Sequence, residues 1–318
     1  MTSRPRLVVS RTLLPAIERR IAQSFVTDEG EPGADLVARA VAHRADGLLV
    51  CITDTLSADV IERLPNSVRV IATYSVGFNH IDVEAARQRG IVVTYTPDAV
   101  TDATADCALL LLLGACRMAH GFQLQMWNGE WKGWTPTGLL GTDPGGKVLG
   151  LLGMGRIGRA VATRARAFGM EIHYHARGRL AAELERGAVY HKTVESLFNA
   201  SQVVSLHTPS TPETRGQINR RSLAWLPEGA VFVNSARGDQ VIDDDLIAAL
   251  SGGRLAAAGL DVFFGEPDFD KRYLDLPNAF LLPHIGTSTI ETRVRMGMDA
   301  ISDLEAFFAG REPRWRVV

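Results

Sequence analysis

The sequence predicts an α/β protein of two domains, each built on a parallel sheet. Three observations predict this. Short apolar runs of strand length alternate with amphipathic stretches from one end to the other. A length of 318 residues suits about two domains. In the second half the alternation passes through a glycine-rich turn that joins a strand to a helix. No short repeat period interrupts the pattern.

In the first third, strands are expected at 7–10, 47–52, 69–74 and 91–94, with helical patterns between them. One of these, 82–89, is closed by Gly90 as a C-cap. A long helix is expected over 102–127, with Thr101 and Asp102 as capping candidates and Asp106 in its first turns. A loop rich in Gly, Trp and Pro follows over 128–146. Then come strand 147–152, helix 156–168 and strand 171–176, with later strands at 202–206, 230–234, 256–261 and 280–282. A final helix covers 288–309.

Composition narrows the functional classes. Hydrophobic residues make up 46% of the chain, enough for a sizeable core, and the formal net charge is only −2. That balance offers no global attraction to nucleic acid or an anionic membrane, so a small anion needs a local positive site. Cys51, Cys107 and Cys116 lie in apolar runs without a CxxC pair. They read as buried thiols of a reducing compartment, the cytoplasm. The N-terminal MTSRPRLVVS lacks the apolar stretch of a signal peptide. The run from Cys107 to Cys116 is about half the length that spans a bilayer. His173 and His175 share one strand face, but no further Cys or His spacing supports a metal, and no GxSxG elbow occurs.

The strongest motif is Gly153-Met154-Gly155-Arg156-Ile157-Gly158, directly after an apolar strand and opening a helix. Gly153 permits the tight turn, Gly155 lets the backbone approach a pyrophosphate, and Gly158 allows close packing of helix on strand. The helix N-terminus adds free N–H groups and a positive dipole end. Strand, turn, helix and second strand together specify a dinucleotide site. NAD sites place an acid about 20 residues further on, for the ribose 2′-hydroxyl. Here the second strand ends His173-Tyr174-His175-Ala176-Arg177-Gly178-Arg179, with no acid. Arg177 and Arg179 instead offer planar, permanently charged forks for a 2′-phosphate. NADP(H) is therefore favoured, with NAD(H) as the alternative.

These features, taken with several others, resemble the D-isomer-specific 2-hydroxyacid dehydrogenase family, and within it the glyoxylate/hydroxypyruvate reductase branch. The resemblance covers nearly the whole chain. It is carried by SVGFNHID (75–82), Thr96-Pro97-Asp98, TDATAD (101–106), the Gly153 turn, His207-Thr208-Pro209, VNSARG (233–238), GLDVFFGEP (259–267) and PHIG (283–286). It implies a flavodoxin-like substrate domain, 1–98 plus 285–318, with a Rossmann dinucleotide domain, 99–284, inserted in it. The active site would lie in the cleft between them. It also implies a homodimer acting on a small 2-keto or 2-hydroxy acid.

Reduction of a 2-keto acid requires an anchor for the carboxylate, polarisation of the carbonyl and a proton donor. Arg237 follows a strand whose C-terminal end should open on the cleft, and suits the first two tasks. His284 follows a short strand and suits the third. Glu266, also just after a strand, would keep that histidine protonated and correctly oriented. The resemblance assigns this set to catalysis. It places Asp261, Thr104, His207, Thr208, Pro209, Thr214, Ser235, Ala236 and Gly286 around the cofactor, and gives the substrate carboxylate to the backbone of Val76 and Gly77. Trp127, Trp131 and Trp134 crowd one loop. Either they pack across a dimer contact, or Trp134 reaches the partner subunit's substrate pocket.

Phe78 and Trp134 suggest a small, partly apolar pocket suited to glyoxylate, hydroxypyruvate or pyruvate, reduced to the D-2-hydroxy acid. Alternatives are the same scaffold acting on phosphite or 2-ketogluconate, or a dinucleotide-sensing binding protein like the corepressor relatives. The tail sequence Arg314-Trp315-Arg316 is bulkier than the Asn-Val more common in relatives, which bears on how the tail packs.

Overall fold

A computed structural model describes residues 4–318; the first three residues of the N-terminal segment lie outside the described residues. The chain divides into two compact units, Met1–Val100 with Thr287–Val318, and Thr101–Gly286.

The first unit is a five-stranded sheet. Its elements are β1 (Arg6–Val9), α1 (Pro15–Ser24), β2 (Val26–Thr27), α2 (Leu36–His43), β3 (Gly47–Val50), α3 (Ala58–Arg63), β4 (Val70–Thr73), α4 (Val83–Gln88) and β5 (Val92–Thr94). All pairings are parallel and the order is β2-β1-β3-β4-β5, the flavodoxin-like arrangement. Alternation along each strand sends Leu7, Leu49 and Val70 to one face. There they pack on Ile17 of α1 and on Met296, Ile301 and Leu304 of the C-terminal helix Ile290–Phe308. Val8, Leu48, Val50 and Ile71 go to the other face. Both faces are covered, which is why these strands read as continuous apolar runs. Asp82 caps α4 by accepting from Ala85 N at 2.9 Å, and Gly90 follows the helix at φ +67°. The C-terminal tail lies along the β5 edge: Val317 N donates to Val93 O (2.7 Å), Tyr95 N to Trp315 O (3.1 Å). Trp315 stands edge-on to Tyr95, and Arg314 pairs with Asp98 at 3.0 Å. The bulky tail thus covers an edge that would otherwise be open to pairing.

The second unit opens with α5 (Thr101–Cys116) and α6 (Ala119–Trp127). The single helix expected over 102–127 is therefore two, bent by 69°. At the break Met118 turns left-handed (φ 50°), and Thr142 N, from a segment distant in sequence, donates to the Cys116 carbonyl at 2.7 Å. Helix α5 is apolar on most sides because it is core: Ala105, Leu111, Leu112 and Ala115 are buried. No single helix among the described residues is long and apolar enough to cross a membrane.

The remaining elements are β6 (Val148–Leu152), α7 (Arg156–Ala167), β7 (Glu171–His175), α8 (Ala182–Glu185), β8 (Val189–Tyr190), α9 (Val194–Ala200), β9 (Val203–Leu206), α10 (Arg220–Ala224), β10 (Ala230–Asn234), α11 (Asp243–Ser251), β11 (Leu255–Leu260) and β12 (Ala279–Leu281). The seven strands are parallel in the order β12-β11-β10-β9-β6-β7-β8. The order reverses at β6, the topological switch point of a doubly wound Rossmann sheet. Register aligns the strand ends: Leu152 pairs with Leu206 and His175, Leu206 with Asn234, Asn234 with Leu260, and Leu260 with Leu281. The residues that follow those ends therefore gather along one edge of the sheet.

Candidate active site

The turn after β6 has the shape of a phosphate cradle. Gly153 sits at φ +105°, and a Cβ there would meet the His207 carbonyl oxygen at 2.6 Å; a Cβ on Gly158 would lie 2.3 Å from the Gly153 oxygen. Both positions need glycine, because helix, turn and neighbouring strand touch backbone to backbone. A Cβ on Gly155, by contrast, would meet nothing within 4 Å. That open space lies at the N-cap of α7, a 12-residue helix whose first residues are Arg156 and Ile157. Met154 is buried behind the turn. Open space beside the start of a helix, where the first-turn N–H groups point, fits a dinucleotide pyrophosphate.

The β7 end differs from expectation in one residue. Arg177 is exposed, with no partner among the described residues. Arg179 is engaged: its Nε and Nη2 lie 2.9 and 3.1 Å from the two carboxylate oxygens of Glu185. Glu185 is buried and also accepts from Tyr174 Oη at 2.6 Å, while Tyr174 Oη accepts from Leu180 N at 2.9 Å. Arg179 thus closes the β7–α8 loop, and its charge is already met by a carboxylate. Sequence reasoning also passed over His175, the last residue of β7. Its Nδ1 lies 2.9 Å from the His191 carbonyl oxygen.

The Arg, Glu and His expected to act together lie on three neighbouring strand ends. His284 Nδ1 is 2.7 Å from Glu266 Oε2, and Phe263 N donates to Glu266 Oε1 at 2.6 Å. Burial pushes the Glu266 carboxyl up, but the hydrogen bond and charge of His284, the Phe263 N–H and the Arg237 charge outweigh it, and the net direction is down. Glu266 is held ionised. Arg237 follows β10 on a turn built by Asn234, whose Oδ1 accepts from Ala236 N (2.9 Å) and whose Nδ2 donates to Arg237 O (3.0 Å). Burial lowers the Arg237 guanidinium, opposed by Glu266 and Asp239. Ser235 Oγ is buried with no partner among the described residues.

His284 has a left-handed backbone (φ 54°), a conformation that costs a residue with a Cβ about 1–3 kcal/mol and must be held by its surroundings. Asp261 holds it. This side chain, 1% exposed, accepts from Ile285 N at 2.7 Å and from Gly286 N at 2.8 Å. Burial pushes the Asp261 carboxyl up, opposed by the Ile285 N–H, the His284 charge, the Gly286 N–H and the Cys107 thiol. Burial, then the charge of Asp261, pushes that thiol up to about 12, so it stays protonated. Thr104, in the first turn of α5, is buried beside Gly286: a Cβ on Gly286 would come within 3.7 Å of Thr104 Cγ2.

The loop after β9 is braced by Gln240, another residue the motifs did not flag. Gln240 is fully buried; its Oε1 accepts from Thr208 Oγ1 (2.9 Å) and its Nε2 donates to Thr208 O (2.8 Å). Thr214 Oγ1 donates to the Pro209 carbonyl at 2.8 Å, so its hydroxyl is spent on the turn. Burial alone drives His207 down to about 4, leaving it neutral. In the other unit, Val76 and Gly77 follow β4, where Ser75 Oγ donates to Gly77 O at 2.6 Å. Trp127, Trp131 and Trp134 are 73%, 62% and 86% exposed.

A doubly wound sheet with this glycine turn, and an Arg, a Glu and a His on neighbouring strand ends, fits a nicotinamide-dependent dehydrogenase. The chain belongs to the D-isomer specific 2-hydroxyacid dehydrogenase family, whose NAD binding domain matches residues 109–286. It is 40% identical to the glycerate dehydrogenase of Hyphomicrobium methylovorum over 98% of each chain. Among solved structures, one from Polaromonas sp. JS6 66, assigned to the same family, superposes with a TM-score of 0.92 at 44% identity, covering 99% of this chain and 100% of that one. The NADPH-dependent glyoxylate/hydroxypyruvate reductase of Sinorhizobium meliloti, solved with NADP and malonate, gives 0.89 at 33% identity over 99% and 97%. The chain is thus an NAD(P)-dependent D-2-hydroxyacid dehydrogenase, acting on a 2-keto/2-hydroxy acid pair.

Proposed function

We propose that the protein is an NADPH-preferring reductase of glyoxylate and hydroxypyruvate. The observation that carries the cofactor preference is the end of β7, where His175 and the unpaired Arg177 stand in place of an acid. The Sinorhizobium relative, described as NADPH-dependent, supports it. A nicotinamide dinucleotide held at the Gly153–Gly158 turn would supply the hydride for the substrate carbonyl carbon. Arg237 holds the substrate carboxylate and polarises the carbonyl with its fixed cationic fork. His284, with Nδ1 tied to Glu266, turns Nε2 to the carbonyl oxygen and delivers the proton there. Hydride and proton together give the 2-hydroxy acid. Glu266 stabilises the imidazolium before transfer and fixes the ring afterwards.

Trp127, Trp131, Trp134 and Leu140 are large apolar side chains left exposed within one stretch of chain, the kind of surface that marks a protein–protein contact. We read it as the homodimer contact, to be checked by light scattering for twice the chain mass of 34.5 kDa. Three cysteines without a disulfide suit a cytoplasmic enzyme.

The test is oxidation of NADPH and NADH, followed by absorbance, with glyoxylate, hydroxypyruvate, pyruvate and 2-ketogluconate. A higher kcat/KM for NADPH with a two- or three-carbon acid supports the reading. Preference for NADH, or for 2-ketogluconate, overturns the corresponding half of it.

A further inference from the structure

We propose that Trp315, in the C-terminal tail, is a positioning residue for the substrate: through Tyr95 and Phe78 it sets the loop of Val76 and Gly77, and with it the affinity for the 2-keto acid. The inference rests on the reductase reading above and on the substrate role that the family resemblance gives this loop. It adds a residue that lies outside every motif of the site.

The loop lies where a ligand is expected. It follows β4, and open α/β sheets bind ligands beyond the carboxyl ends of their strands. Hydrogen bonds fix its ends: Thr96 N donates to Ser75 O at 3.0 Å, Ser75 Oγ to Gly77 O at 2.6 Å, and Ile81 N to Phe78 O at 3.0 Å. Between them the half-buried Phe78 side chain stands edge-on to Tyr95, with ring centroids 5.7 Å apart and planes at 84°. Tyr95 stands edge-on in turn to Trp315, at 6.3 Å and 81°. Edge-to-face pairs have a preferred geometry, so moving the ring at one end of this ladder changes what the next ring prefers. The ladder runs from the tail to the residue beside Gly77.

The tail is held firmly enough to be the fixed end. Asp303 of the C-terminal helix, 3% exposed, accepts from Arg314 N at 2.8 Å with Oδ1 and from Trp315 N at 3.2 Å with Oδ2. Tyr95 N donates to Trp315 O, Val317 N to Val93 O and Val93 N to Val318 O (3.3 Å), so the tail runs antiparallel beside β5. The Arg314 guanidinium lies over the Trp315 ring, 4.8 Å from its centroid. Within the tail the side chains divide their tasks. Val317 and Val318 pack on the core of one sheet face and Pro313 is buried, whereas Trp315 packs on Tyr95, outside that core. Deleting the indole should therefore spare the fold and reach the loop.

The test uses the full chain at saturating dinucleotide, with the 2-keto acid that the wild type reduces fastest. Trp315→Ala should raise KM for the keto acid about two- to tenfold, the range that loss of one edge-to-face contact spans, with kcat within about twofold and the Kd for the dinucleotide unchanged. Trp315→Phe, which keeps a ring, should recover most of the KM. In a Phe78→Leu background Trp315→Ala should add less than about twofold, because the two residues act in series. If Trp315→Ala does not fold, Trp315→Leu takes its place with the same expectations. An unchanged KM, a parallel loss of kcat and dinucleotide affinity, or effects that add fully to those of Phe78→Leu overturns the proposal. If the wild type reduces none of the keto acids, the reductase reading fails separately. Hydrogen exchange at the Ile81 amide, bonded to Phe78 O, then decides the ladder: faster exchange in Trp315→Ala supports it and unchanged exchange overturns it.

Discussion

Asp261→Asn isolates the device that holds the histidine. In the wild type both carboxylate oxygens are used, by Ile285 N and Gly286 N, and the side chain is 1% exposed. An asparagine has one acceptor oxygen, so one of those amides would face an NH2 group. A hydrogen bond to a charged group contributes about 1.5–3 kcal/mol, and an unsatisfied buried N–H costs about 1–3 kcal/mol. The loss should thus be about 2–4 kcal/mol, comparable with the about 1–3 kcal/mol needed to keep His284 left-handed. The turn should relax, and His284 should spend time away from Glu266. At about 2–4 °C per kcal/mol for a unit of this size, Tm should fall by roughly 5–15 °C. Hydrogen exchange should speed up at Ile285 and Gly286, and kcat should drop more than the affinity for the dinucleotide. An Asp261→Asn enzyme with wild-type Tm and unchanged exchange at those two amides would refute the reasoning.

Three further predictions concern neighbouring groups. Glu266 is held below its ordinary 4.5, so its charge contributes stability above that pH, and the contribution is lost as pH falls through the lower folded value; the Tm gap between wild type and Glu266→Gln should close below about pH 4.5. His207 is depressed from 6.5 to about 4, so the unfolded chain binds the proton first and stability falls as pH drops through that interval. The ceiling is about 3 kcal/mol at about 1.4 kcal/mol per unit, and urea midpoints at pH 7 and pH 4.5 should differ more for wild type than for His207→Asn. Gly158→Ala would set a Cβ 2.3 Å from the Gly153 oxygen; an overpacking cost of about 1–3 kcal/mol should appear as weaker dinucleotide binding by calorimetry, and unaltered affinity would contradict the close packing.

Much of this architecture could be read from sequence because parallel sheets covered on both faces leave continuous apolar runs. The strands of 47–52 and 202–206 announce themselves in that way. Two strands escaped, Val26–Thr27 and Val189–Tyr190. Each is two residues long, at a sheet edge, too short for any period to register. The break between α5 and α6 escaped for another reason. Leu109 to Leu113 carry no helix breaker, and what marks the break is folded geometry: a left-handed Met118 and a bond from Thr142, distant in sequence, to the Cys116 carbonyl.

The site shows the same division between what a motif carries and what only folding creates. Arg237, Glu266 and His284 each follow a strand, and the aligned register of β10, β11 and β12 gathers strand ends along one edge whatever the loops do. Their meeting is thus a consequence of topology that spacing alone can signal. The roles of Arg177 and Arg179 are not of that kind. They are alike in sequence, two residues apart, and the sheet does nothing to separate them. What separates them is a buried carboxylate: Glu185, 6% exposed, needs a cation because Tyr174 alone cannot balance its charge, and Arg179 supplies it. Removing Arg179 would therefore strand Glu185 and loosen the β7–α8 loop, a structural effect easily mistaken for lost phosphate recognition. A comparison of Arg177→Ala with Arg179→Ala has to be scored on 2′,5′-ADP against 5′-ADP, where a direct contact changes one affinity and a loosened loop changes both.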